Sequence, residues 1–162
     1  MALVHEFILV SKEAHARFDF STTIRNDSGK IIVEDSKLVD VLEINDELVT
    51  YLMDFFNWIP TSCGLNVEKS SGLNYHGITY IFNENRLIFG KIFRLLSDLF
   101  SVAPETFKLK GDFCWEEGNK DSGAYEFITL NKEDVVNILK KMAIWSELME
   151  KNHNLYVVHM GI

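Results

Sequence analysis

Cysteine and proline are scarce in this chain of 162 residues. There are two of each, against 47% apolar and 25% charged residues. Cys63 and Cys114 are too few and too distant in sequence to staple a small fold, which points to a reducing, cytoplasmic setting. Two prolines leave no Pro-rich linker. Nor does any apolar run approach the ~20 residues that span a bilayer. The opening Met1–Val10 lacks a basic region, and His5 and Glu6 interrupt its apolar residues, so it does not read as a leader peptide. Positive charge is also in deficit. The net charge is −8, with eleven acids against five bases in residues 1–60 and nine against five in 111–162. Such a balance repels phosphate backbones and disfavours nucleic acid as a direct ligand.

What is present is a composition suited to one ordinary core, and the chain reads as a single domain over residues 1–162. The stretch from Phe107 to Leu130 organises the reading. Phe107, Leu109, Gly111, Phe113 and Trp115 alternate with Lys108, Lys110, Asp112, Cys114 and Glu116, the period of a strand with one wet face. A polar loop bracketed by Gly118 and Gly123 returns the chain into Tyr125–Leu130, so the stretch predicts a hairpin.

A strand from Tyr75 to Phe82 and a helix come before it. A helix begun at Asn131 and a strand over Leu155–Met160 follow. Asn83 or Asn85 is expected to cap the earlier helix, whose apolar residues are Ile88, Phe89, Ile92, Leu95, Leu96 and Leu99. The order strand–helix–strand–strand–helix–strand over 75–162 predicts an α+β fold with a ferredoxin-like unit.

Upstream, Glu6–Val10 reads as a strand. Ala16–Arg25 and Ile31–Val33 read as a hairpin around Asn26-Asp27-Ser28-Gly29. Ser36–Ile44 fits a helix through Leu38, Val41 and Leu42, or a strand through Val39, Val41 and Glu43. Asn45 can cap a helix with Asp46 and Glu47 in its first turn and Leu48, Leu52, Phe55 and Ile59 on its apolar stripe, stopped by Pro60. Thr61–Gly72 reads as loop and as the best internal boundary of the domain. Phe55, Ile92, Leu96, Leu139 and Trp145 are expected in the core.

Chemistry-bearing residues are weighed against plainer roles. His76 and His159 fall on the first and last strands of the predicted unit and, with Asp112 or Glu116, supply metal-ligand types. Their spacing matches no ligand pattern, so neither a metal nor a cofactor is expected. Cys114 is flanked by Asp112, Glu116 and Glu117, which raise a thiol pKa, so an inert, buried or half-buried cysteine is expected. No glycine pattern forms a phosphate loop. Tyr125-Glu126-Phe127 offers aromatics with no basic residue beside them in sequence, which disfavours RNA stacking.

Trp115 with Glu116, Glu117 and Asp121 has the composition of an aromatic anchor flanked by steering charges. The plainer alternative is a core tryptophan beside a solvated loop. Asp35, Asp40, Glu43, Asp46 and Glu47 form a second acidic candidate surface.

The segment Leu73-Asn74-Tyr75-His76-Gly77-Ile78-Thr79, the ending His159-Met160-Gly161-Ile162 and the acidic character of the whole chain resemble the small immunity proteins that bacteria encode beside toxins. The resemblance implies a cytoplasmic, non-enzymatic protein that binds a cognate toxin domain, often a basic nuclease, and blocks its active site. The charge and the short apolar runs, independently, predict no direct nucleic-acid or membrane contact. The alternative is a small enzyme or ligand-binding domain with a pocket around His76, Tyr80 and Trp115.

Overall fold

A computed structural model describes residues 3–11, 31, 38–62, 69–116 and 119–162. The chain is α+β, with three helices, a six-stranded sheet and a separate two-stranded sheet among the described residues. The elements in chain order are β1 (Val4–Ser11), β2 (Leu38–Asn45), α1 (Asp46–Phe56), β3 (Pro60–Ser62), β4 (Lys69–Ser71), β5 (Ile78–Ile81), a 3-10 turn (Asn83–Asn85), α2 (Arg86–Ser101), β6 (Thr106–Glu116), β7 (Asn119–Asn131), α3 (Lys132–Lys151) and β8 (Leu155–Met160).

The large sheet runs β2-β1-β8-β5-β3-β4, and every pairing in it is antiparallel. Its central strand, β8, is buried from Leu155 to His159, as a strand covered on both faces must be. Period-two alternation sends Phe7, Leu9, Leu155, Val157 and Ile81 into the main core with the helices. Ile8, Val10, Tyr156, Val158 and Phe82 point the other way, where Ile31 joins them.

The ferredoxin-like topology is not realised. The six elements follow one another as expected, and β5 lies directly beside β8. However, among the described residues β6 and β7 pair only with each other. The reason lies in the sheet edges: β1 occupies the free side of β8 and β3 that of β5, so no open backbone remains beside the pair for the hairpin to join. The hairpin instead rests its base on the helical layer. Phe107, Leu109 and Leu130 pack against the core, and Phe107 stacks on Phe100 at 5.5 Å.

The helices begin where side-chain caps stand. Asn45 Oδ1 accepts from the Glu47 N–H at 2.8 Å, and Asn131 Oδ1 from the Asp134 N–H at 3.3 Å. Asn85 stands at the start of α2 without a side-chain capping bond. Asn83 is buried, and its amide donates to the Met149 and Leu155 carbonyls, tying the start of α2 to the end of α3. α1 ends at Phe56, short of Pro60, which opens β3.

α2 crosses α3 closely at Gly90, where a Cβ would collide with the Ser146 side chain. Among the expected core residues Leu96, Leu139 and Trp145 are buried, whereas Phe55 and Ile92 are only partly covered. The segment 36–44 resolves as strand from Leu38 because it pairs with β1. Residues 16–30 and 32–33, read as an N-terminal hairpin, lie outside the described residues. Of the loop-like stretch 61–72, residues at both ends form β3 and β4. No helix among the described residues is long and apolar enough to cross a membrane.

Candidate functional site

The β6–β7 hairpin carries an aromatic face that the simple alternation does not produce. Lys110 pairs with Phe127 and Phe113 with Tyr125, so two residues of β6, Gly111 and Asp112, stand opposite the single Glu126 of β7. That is a β-bulge, and one surplus residue reverses the side-chain parity beyond it. Phe113 and Trp115 therefore leave the face of Phe107 and Leu109 and join that of Lys110, Tyr125 and Phe127. Phe113 packs edge-on against Trp115 (4.9 Å, 76°) and against Tyr125 (5.0 Å, 76°). Gly123, opposite Trp115, leaves room for the Phe113 ring, which a Cβ there would strike. All four rings are exposed, Trp115 at 65% and Phe127 at 61%. Trp115 is thus a surface residue and no part of the core.

The Lys110 ammonium lies 3.3 Å from the Tyr125 ring centroid. A basic residue does stand beside the aromatics, contrary to the linear reading, because the cross-strand neighbour is 15 positions away in sequence. Of the acids expected to flank Trp115, Glu116 is the last residue of β6 and pairs with Asn119, Asp121 lies within β7, and Glu117 falls outside the described residues. The loop is shorter than its glycines imply. Cys114 is exposed, not buried, because this end of the arm extends beyond the core that its base touches.

The second feature is a polar cleft of about 600 Å³ between α1 and the hairpin, bordered by Asp46, Thr50, Tyr75, Lys110 and Glu126. Behind it runs a chain that the sequence reading missed. Asp46 Oδ1 lies 3.1 Å from His5 Nε2, and His5 Nδ1 lies 2.9 Å from His159 Nε2. A carboxylate only accepts, so His5 Nε2–H donates to Asp46. The Nδ1 of a neutral His5 then accepts from His159 Nε2–H, leaving His159 Nδ1 a buried acceptor without a hydrogen-bond partner. The hydrogen bond to Asp46, aided by desolvation, raises the pKa of the Tyr75 phenol. Burial, with His5 alongside, pushes His159 down to about 3.

A depressed histidine pKa inside a cleft would argue for acid–base chemistry. His159 is fully buried and lies against Phe7 at 4.6 Å, so its shift reports core burial. The His5 nitrogen that would serve as a base faces another imidazole, a ring without the hydroxyl or thiol a nucleophile needs. The arrangement can pin β1, β8 and α1 together. Positions 5, 46 and 159 carry no local spacing signal. The pairing of Phe7 with His159, two residues along from His5, brings the two histidines together, and the pairing of Val4 with Asn45 brings Asp46 alongside.

The structure does not assemble the expected His76–Tyr80–Trp115 pocket. His76 precedes β5 in an exposed turn, its Nδ1 2.7 Å from the Ile162 oxygen. Tyr80 packs with Phe82 and Tyr156 on the opposite face of the sheet from the helices, and its phenol pKa is raised by burial. Tyr156 beside it is pushed up to about 12 by burial and by Tyr80. None of His76, Tyr80 or Trp115 lines the cleft.

In the second acidic surface, Asp40 is taken up by Lys141 and Trp145, and Asp46 by His5. Asp35 lies outside the described residues. Comparison with protein-family models, with curated proteins and with solved structures gives no match.

Proposed function

We propose that this chain is a non-enzymatic binding protein that docks a basic protein domain through the β6–β7 arm, in the manner of a bacterial immunity protein neutralising its toxin. One observation carries the reading: Phe113, Trp115, Tyr125 and Phe127 are exposed on one face of the hairpin, with Phe113 packed against both Trp115 and Tyr125. Large aromatic side chains supply most of the energy at interface centres, and a strand pair presents them with little further ordering. Glu116 at the end of β6 and Asp121 in β7, with Glu117 adjacent in sequence and a chain net charge of −8, suit a cationic partner such as a nuclease cleft shaped for phosphate. A bare aromatic face with lysines is also the composition of a base-stacking platform. Here the overall acidity opposes a phosphate backbone.

The test is stopped-flow association with a basic nuclease toxin domain as the probe, at two salt concentrations. Glu116→Lys with Glu117→Lys should slow association and flatten its ionic-strength dependence, because complementary charge acts mainly on encounter. Trp115→Ala should speed dissociation, at a cost of roughly 2–4 kcal/mol. Unchanged dissociation in Trp115→Ala would remove the arm from the interface. Tight binding of single-stranded oligonucleotide to the wild-type protein would replace the protein-docking reading altogether.

A further inference from the structure

We infer that the chain forms a two-fold symmetric homodimer through an antiparallel pairing of α2. Ile88, Ile92, Leu95, Leu99 and Val102 are spaced 4, 3, 4 and 3 along α2 and its C-cap, the a/d spacing of a coiled-coil seam. Most of them turn away from the core of their own chain: Leu95 is 58% and Leu99 60% exposed and Ile92 is partly packed against the core, while Phe89, Phe93, Leu96 and Phe100 supply the buried face. The seam borders an apolar groove of about 380 Å³ whose far wall is Phe55 of α1 and Trp58 in the turn that follows it, packed edge to face at 5.4 Å. This is why Phe55 and Ile92 are only partly covered.

The seam complements itself in one direction. With the helices antiparallel about a two-fold axis between Phe93 and Arg94, Ile88 meets the second copy's Leu99, and Ile92 its Leu95. Each contact occurs twice, as an isologous interface requires. Both of these layers are aliphatic, while Val102 lies beyond them, level with the second copy's Asn85. The polar flank of the seam carries one cation, Lys91, and one anion, Asp98, seven positions apart and too far to pair within one helix. Antiparallel pairing brings Lys91 beside the second copy's Asp98, again twice. In a parallel, in-register pair Lys91 would instead face Leu96. Charge complementarity therefore selects a second copy in one orientation.

Sedimentation equilibrium of the full chain over roughly 1–300 μM, the range for an interface at the small end of the scale, should show mass rising from 18.7 kDa to twice that value. Leu95→Glu should leave the protein monomeric throughout with an unchanged far-UV spectrum, because the replaced side chain is exposed. Lys91→Glu should raise the dimer dissociation constant roughly tenfold by setting like charges against each other twice, and adding Asp98→Lys should restore it. Trp115→Ala should leave the dimer intact, which separates this face from the hairpin arm. A protein monomeric at every concentration, or a dimer indifferent to Leu95→Glu, overturns the inference. A dimer that the double charge exchange fails to restore overturns the antiparallel pairing.

Discussion

His5 and His159 meet edge to edge on one face of the main sheet, 5.1 Å between centroids and 8° from parallel, with Nδ1 of the first 2.9 Å from Nε2 of the second. They are 154 positions apart, and they meet because β1 and β8 pair. The first prediction follows from this contact.

His159 has a folded-state pKa of about 3 against 6.5 for the free side chain. Between those values the unfolded chain binds a proton that the folded chain refuses. Its penalty is thus absent above pH 6.5 and grows as pH falls toward 3. At 1.36 kcal/mol per unit, this residue should remove about 2 kcal/mol of stability by pH 5. His159→Gln, which cannot titrate, should lose about that much less between pH 7 and pH 5 in urea melts. Equal losses in the two proteins would show that His159 is not the group responsible.

A second prediction concerns the closest approach of two helices. On an exposed helix, glycine to alanine gains about 1 kcal/mol of helix propensity. At Gly90 the sign should reverse, because the new Cβ meets the Ser146 side chain and α2 must move off α3. Gly90→Ala should cost roughly 1–3 kcal/mol by overpacking, and Ser146→Gly in the same chain should recover part of it. A stabilised Gly90→Ala would mean that the helices separate there without cost.

Much of the local structure was legible, and the reasons are local. Asn45 and Asn131 cap helices through bonds spanning two and three residues, which a linear pattern displays. The alternation from Phe107 marks a strand for the same reason. What escaped depends on contacts distant in sequence. The ferredoxin-like order fails because β1 and β3 fill both flanks of the β5–β8 pair, and a hairpin's own residues say nothing of that competition. Ser36–Ile44 stayed ambiguous until β1 supplied its partner.

The candidate site shows both sides of this. Trp115 stands out by its neighbours, but the linear alternation sets it and Phe113 on the face of Phe107 and Leu109. A bulge at Gly111–Asp112 changes parity, and glycine alone does not announce it. On α2 the apolar residues were read as a single stripe, whereas Ile88, Leu95 and Leu99 form an outer seam beside the buried one. An apolar arc wider than one core contact needs was the available signal.

The last prediction separates two side chains that share one carboxylate. Asp40 Oδ1 accepts from Lys141 Nζ at 2.8 Å and from the Val41 N–H at 2.9 Å, while Oδ2 accepts from Trp145 Nε1 at 3.0 Å. The lysine end is a partly exposed ion pair, for which about 0–1 kcal/mol is typical. The tryptophan end differs, because Trp145 is buried and an indole N–H left without an acceptor costs its desolvation, about 1–3 kcal/mol. Asp40→Ala should therefore destabilise the protein by more than Lys141→Ala does. Asp40→Asn, which keeps an acceptor oxygen but loses the charge, should fall between them. Urea melts of the three variants at neutral pH settle the order. If Lys141→Ala costs as much as Asp40→Ala, the ion pair, and not the buried indole, is what the carboxylate stabilises.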